Sequence, residues 1–344
     1  MRDAAVASKW ARSVAPGLLA AVAVAIVARG IATFLPAAVS EVLVAVLVGI
    51  VVANSGLLPG STGPGLRFAV QRVLRLGIIL LGARLSLFDV AQIGASALLL
   101  VVVMMAIAFT AALAAGRVAG IPPRLALLIG VGTAVCGNSA IVATAPVIDA
   151  EEREVSFAVA TITLFGTLAV FLYPLIGHAL TLSAQTFGTW AGVAVNDTSQ
   201  VVAAGSAFSP DARDVATVVK LVRNTLMAPL IVLIAWWWGR QRRVEGEAVR
   251  AGALRAFPLF VLGFLFMALL RTSGVIDRAS AAPIDEVARA CILVALAGVG
   301  LSTRLGELGH IGIRPFLVGF GTAVVMAGLS LGAVAGLGLA AAGR

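Results

Sequence analysis

Apolar residues along this chain come in long runs, separated by short connections rich in arginine, glycine and proline. The runs occupy residues 14–28, 38–54, 71–87, 94–116, 124–148, 155–177, 184–207, 214–239, 255–271, 285–302 and 313–340. Each is close to the ~20 residues an α-helix needs to cross the hydrocarbon core of a bilayer. Turn chemistry punctuates them, as in Pro59-Gly60-Ser61-Thr62-Gly63-Pro64-Gly65, Gly120-Ile121-Pro122-Pro123 and Ser209-Pro210-Asp211. The pattern predicts an all-α polytopic membrane protein of about 10–11 transmembrane helices, forming one integral membrane domain over residues 1–344.

Two of the runs are broken by small and polar residues. The first reads GVGTAVCGNSAIVATAPVI from Gly130. The second reads VNDTSQVVAAG from Val195, so that Cys136, Gly137, Asn138 and Ser139 stand over Asn196, Asp197, Thr198 and Ser199. Ile141-Val142-Ala143 then stands over Val201-Val202-Ala203, all at an offset of sixty positions. Matching interruptions in hydrophobic segments point to a transporter's binding site. Backbone that leaves the helix at membrane depth must lie inside protein or line a watery cavity, because lipid cannot satisfy its amides. The candidate substrate-lining residues are therefore Thr133, Cys136, Gly137, Asn138 and Ser139, with Asn196, Thr198, Ser199 and Gln200 in the second segment. Packing of small residues between helices would leave the same signature in either segment alone. The match between the two favours the site.

A second internal similarity joins GIILLGARLSLFDVAQIG, from Gly77, to LVALAGVGLSTRLGELGHIG, from Leu293. These segments are seven runs apart and should point in opposite directions, which sets the repeat-related parts as 71–177 and 184–340. The sixty-residue pair does not fit so simply. Runs five and seven would point the same way unless one of them is re-entrant.

Composition agrees with a membrane protein and removes other classes. Hydrophobic residues make up 60% of the chain and charged residues 12%, with a mean hydropathy of +1.07. A soluble domain is about a quarter charged. The net charge of +9 sits mostly as arginine in short connections, where it meets anionic headgroups on the cytoplasmic side rather than nucleic acid. The connections at Arg67–Arg75, Arg117–Arg124 and Arg240–Arg255 all fall inside if the N-terminus does. Cys136 and Cys291 have no CxxC partner, and His178 and His310 give no metal-ligand spacing. No cofactor or metal is expected. No GxxxxGK[ST] occurs, so no ATPase drives the protein.

Within the apolar runs, Asp197 is the carboxylate placed deepest, and an ionisable group there is by default a functional candidate. It is the candidate ion-coupling residue; a helix cap at the break, or a structural ion pair with a basic residue of the eighth run, is the alternative. Lys220, Arg223 and Asn224 share one helical face on the following run. Two cations there could attract an oxyanion, the guanidinium fork donating twice to a sulfate, sulfonate or carboxylate; snorkelling to an interface is the plainer reading. The run Asp149–Glu154 reads as a solvated connection and helix cap, and Trp236-Trp237-Trp238 as an interfacial anchor. An intramembrane enzyme would need a histidine near Ser139 or Cys136, and no apolar run supplies one.

These residues also carry a family resemblance. GVGTAVCGNSAIVATAPVI (130–148), VNDTSQVVAAG (195–205), VVKLVRNTLMAPL (218–230) and LGIILLGARLSL (76–87) resemble the YeiH-like family of bacterial inner-membrane proteins, often labelled sulfate exporters. The family is similar to the cation–proton antiporter and bile-acid symporter group. The resemblance implies inverted repeats, broken helices and a multi-pass inner-membrane location. Asn138 stands where the family commonly has a small residue, and Asn196-Asp197 where relatives are expected to carry His-Glu. The expectation is a secondary transporter exporting a small anion, sulfate or an organosulfonate, by alternating access. H+ or Na+ is the candidate co-ion, the bilayer is the surrounding partner and a homodimer is the candidate assembly. A cation–proton antiporter using Asp197 and a ligand sensor without transport are the alternatives.

Overall fold

The structure is a computed structural model that describes residues 2–35, 41–242, 259–304, 306 and 312–336. His310 and most of the Arg240–Arg255 connection lie outside the described residues. Among the described residues there is no strand. Among the described residues, five helical segments are long and apolar enough to cross a membrane: Arg12–Ala32, Leu87–Ala119, Glu152–Ala179, Pro210–Trp238 and Ile313–Gly336. The chain forms two compact units, Met1–Val90 with Phe260–Gly306, and Ala91–Leu259 with Glu307–Arg344.

The first unit contains α1 (Arg2–Ala32), α2 (Glu41–Asn54), α3 (Gly63–Phe68) and α4 (Leu74–Leu81). It also contains α13 (Phe260–Thr272) and α14 (Arg278–Ser302). A π-helical turn over Ala69–Val73 joins α3 to α4. Small residues let these backbones meet closely. A Cβ on Gly17 would come within 2.8 Å of the Gly65 Cα, and one on Gly300 within 3.0 Å of the Gly49 Cα. Gly298 faces Ala69 and Gly77 faces Ala288, so α14 runs antiparallel to α3–α4. That is the opposed direction expected for the similarity between Gly77 and Leu293.

The second unit holds both interrupted runs. Its helices are α5 (Leu87–Ala119), α6 (Pro123–Ala134), α7 (Asn138–Thr144), α8 (Glu152–Ala179) and α9 (Ala184–Ala194). They continue with α10 (Thr198–Phe208), α11 (Pro210–Thr225), α12 (Met227–Arg242) and α15 (Ile313–Gly336). The two interruptions are reversals. A Cβ on Gly132 would lie 2.9 Å from Ile141 Cδ1, a contact that a straight helix, rising 1.5 Å per residue, could not bring about. α7 therefore folds back along α6.

In the second segment Phe187, near the start of α9, stacks on Phe208 at the end of α10, with ring centroids 4.0 Å apart. Gly188 of α9 and Gly205 of α10 both face the Ala212 carbonyl of α11. α9 and α10 are thus two arms of a hairpin, each of 11 residues. At 1.5 Å per residue an arm reaches about 16 Å, half the hydrocarbon thickness. Both hairpins are re-entrant, and the conflict in direction between runs five and seven disappears.

α8, 28 residues long, separates the hairpins and carries the chain from the base of one to the base of the other. They consequently enter from opposite sides. Glu151 caps α8 at the first base through a capping box with Glu154, as expected for the Asp149–Glu154 connection. The first base also carries Arg117, Arg124 and Arg153, whereas Arg213 at the second is bound to Asp214 at 2.8 Å. The excess of arginine at the first base puts that side in the cytoplasm.

Candidate functional site at two hairpin tips

What reverses each hairpin differs. The first turns at Gly137, whose φ of 65° and ψ of −125° lie where a side chain is strained. A Cβ there would also sit 3.2 Å from Asp197 Oδ2 of the other tip. The second turns without glycine, through extended backbone at Val195 and Asp197. Both tips lean on the middle of α8. Asn138 Nδ2 donates to Thr163 Oγ1 (3.3 Å), Gln200 Nε2 to the Thr163 carbonyl (3.3 Å), and Asn196 Nδ2 to the Ile162 carbonyl (3.5 Å). Gly166 makes this possible: a Cβ there would fall 1.8 Å from Gln200 Oε1.

The last carbonyls of a helix have no intrahelical partner, and here α6 and α9 end inside the unit. Their carbonyls are answered by α11. Arg223 donates from Nε to Ala134 O (2.7 Å), from one terminal nitrogen to Val193 O (2.6 Å) and Val195 O (2.9 Å), and from the other to Thr133 O. Lys220 Nζ donates to Val135 O (2.7 Å), Val195 O (3.0 Å) and Asn196 O. Gly132 O accepts from Gly137 N, and Val131 O and Ala191 O from Val135 N and Val195 N. Both side chains are buried, and each binds carbonyls of both hairpins. Cations at helix C-termini are also where the helix dipole favours them.

Lys220 and Arg223, candidates for holding an anion, meet backbone carbonyls in the structure. All three Lys220 protons and most of the Arg223 fork are committed to backbone, so both side chains fasten the hairpins. The Thr133 hydroxyl bonds back to Ile129 O (2.9 Å) within its own helix. Cys136 is buried with its Sγ 3.3 Å from Met227 Sδ, packed behind the tip.

Asp197 is the N-cap of α10. Its Oδ1 accepts from Ser199 N (2.9 Å) and Ser199 Oγ (2.8 Å), and Gln200 Oε1 accepts from Asp197 N (3.1 Å). The cap is therefore formed, and Oδ2 lies beside Gly137. Ser199, Gln200 and Asn196 are buried in this scaffold. The residues that keep a polar face open are Asn138 and Thr198, half-buried like Asp197, and the exposed Ser139. Asn224 Nδ2 donates to Thr198 Oγ1 (3.2 Å). Asn138 Oδ1 and Asn224 Oδ1 are buried with no protein partner. Buried polar atoms are nearly always satisfied, so water is the expected partner of each.

Comparison with known proteins now places the chain. The family model "Conserved hypothetical protein 698" matches residues 16–319. The chain belongs to this family. It is 34% identical over 316 residues to a UPF0324 membrane protein of Corynebacterium glutamicum, covering 92% of this chain and 90% of that one. It is also 34% identical over 285 residues to the UPF0324 inner membrane protein YeiH of Escherichia coli K12, covering 81% and 80%. A UPF0324 membrane protein of Nitratidesulfovibrio vulgaris is 33% identical over 332 residues. No solved structure matches the chain. The protein is a polytopic membrane protein of the YeiH-like family, as the motifs indicated.

Sequence reasoning missed the contribution of α8. Thr163 and Gly166 hold the tips, and the signal was a small, polar Thr161-Ile162-Thr163 patch inside an apolar run. It also missed Asp214, a buried carboxylate paired to Arg213 beside it.

Proposed function

We propose that this protein is a secondary transporter of the inner membrane that moves a small anion by alternating access, with its site at the two hairpin tips. One observation carries the reading: two half-length hairpins, entering from opposite sides, end against each other on α8 and α11. A solute held between tips of opposite origin can be exposed to either side by a modest movement, the arrangement expected of inverted-repeat transporters. The charge balance supports an anion. Lys220 and Arg223 contribute two positive charges to the tips against the single carboxylate of Asp197. The surplus acts on a solute through the field even though the donors are occupied.

Sulfate or a small organosulfonate is the substrate to test first, with export as the direction. A catalytic role has little support: among the described residues the nearest histidine to either hairpin, His178, stacks on Phe208 at a hairpin base. The Asp197 carboxylate at the second tip favours one alternative, a cation–proton antiporter. Flux from proteoliposomes loaded with radiolabelled sulfate, or with methanesulfonate, decides between them. Anion-dependent flux above protein-free vesicles is expected. Na+ or H+ movement with no anion dependence would sink the anion reading, and saturable binding without flux would make the protein a sensor.

A further inference from the structure

Lys220 raises a question that fastening alone does not answer. Arg223 already ties both hairpins through Thr133, Ala134, Val193 and Val195. Lys220 adds a point charge, wholly buried, whose neighbours are three backbone carbonyls: Val135 from the first tip, Val195 and Asn196 from the second. No carboxylate pairs with its ammonium among the described ion pairs. Convergent carbonyls, here without a carboxylate in direct contact, are the ligand set by which proteins replace the hydration shell of a monovalent cation. Non-helical carbonyls at broken helices in membranes hold transported or coupling ions in the same manner.

We propose that the Val135, Val195 and Asn196 carbonyls form a monovalent-cation cage between the hairpin tips, and that this chain fills it with its own tethered ammonium. The cage deepens the transport reading above, and rests on that reading for its role in coupling but not for its geometry. Lys220 is a positioning residue here. Its charge holds the tips together as a bound Na+ or K+ would, and a tether prevents exchange with either bath. A Na+ gradient therefore has no access to this cage in the native protein. Removing the tether while leaving the carbonyls should convert a built-in cation into a vacant site for a free one.

The test is melting of the purified full-length protein in detergent, in chloride salts of choline, tetramethylammonium, Na+, K+, ammonium and methylammonium at equal ionic strength. The native protein should melt within about 1 °C across the series. Lys220→Ala should melt lower in choline and recover by about 3 °C or more in ammonium or methylammonium, with Na+ or K+ also effective. Tetramethylammonium, which is bulky and has no N–H, should not act. Lys220→Met, whose side chain occupies the cage without charge, should not recover in any salt.

A Lys220→Ala protein indifferent to every cation, or a Lys220→Met protein that recovers equally, would overturn the cage. So would a native protein stabilised by Na+ over choline. Should Lys220→Ala not survive purification, the yield of monodisperse protein extracted in ammonium against choline serves as the readout, and equal yields refute the proposal. Melting does not depend on transport. Recovery without flux for any anion would leave the cage standing and remove the transporter reading, while flux with an indifferent cage would do the reverse.

Discussion

Arg223→Met is the substitution whose cost can be worked most directly from the structure. Methionine keeps much of the length and apolar volume but none of the donors. Arg223 is 1% exposed, so water cannot easily replace it. Val195 O would keep Lys220 as a donor, but Thr133 O, Ala134 O and Val193 O would lose the partner that reaches them from α11. A buried polar group left unsatisfied costs ~1–3 kcal/mol, so three carbonyls imply at least ~3 kcal/mol. At roughly 1.4 °C per kcal/mol for a chain of this length, the melting temperature should fall by about 4 °C or more. The assay is thermal unfolding of detergent-purified protein followed by tryptophan fluorescence, since Trp190 lies in α9 and donates to Ala327 O of α15 at 2.9 Å. Arg117→Met, at an exposed position, is the control and should stay within about 0.5 kcal/mol of native. Equal melting of the two variants would refute the claim that Arg223 satisfies the hairpin ends.

Four other outcomes follow from the same geometry. Gly166→Ala puts a methyl group onto Gln200 Oε1 and should destabilise by ~1–3 kcal/mol; combining it with Gln200→Ala should recover part of that loss in melting experiments. Gly321→Ala, with open space around the glycine, should be neutral in the same assay. Asp197→Asn keeps a good N-cap and should change stability by less than about 1 kcal/mol while abolishing coupled flux in proteoliposomes, and retained pH-dependent flux would remove Asp197 from the mechanism. Ser139→Cys should react with a small thiol reagent faster than native Cys136, and the substrate anion should protect it; equal rates would place Ser139 away from the site.

Much of this arrangement could be read from residue order. The sixty-position offset maps Pro123–Ala134 of α6 onto 183–194, which covers α9, and Asn138 onto Thr198, where α7 and α10 begin. Helix limits, the two interruptions and the family all follow from that register. The reversal does not, because an apolar run with a polar centre has the same hydropathy whether it crosses or returns. What decides it are contacts inside a single run, Gly132 with Ile141 and Phe187 with Phe208. The roles of Lys220 and Arg223 were hidden for a related reason. Their partners are backbone carbonyls, which every residue carries and which no residue pattern marks. Asp197 was legible as a cap or a coupling group because its short acidic side chain precedes Ser199 and Gln200, the residues that complete the cap.

The most direct test of the account is the sidedness of single cysteines on a background lacking Cys136 and Cys291. Thr181 and Asp211 flank the second hairpin, Gly120 and Asp149 flank the first, and all four are exposed. Labelling with a membrane-impermeant maleimide, in intact cells and in inverted vesicles, should place Thr181→Cys and Asp211→Cys on one side. Gly120→Cys and Asp149→Cys should share the other. Thr181 and Asp211 on opposite sides would mean that 184–207 crosses the membrane, and the opposed hairpins would not exist.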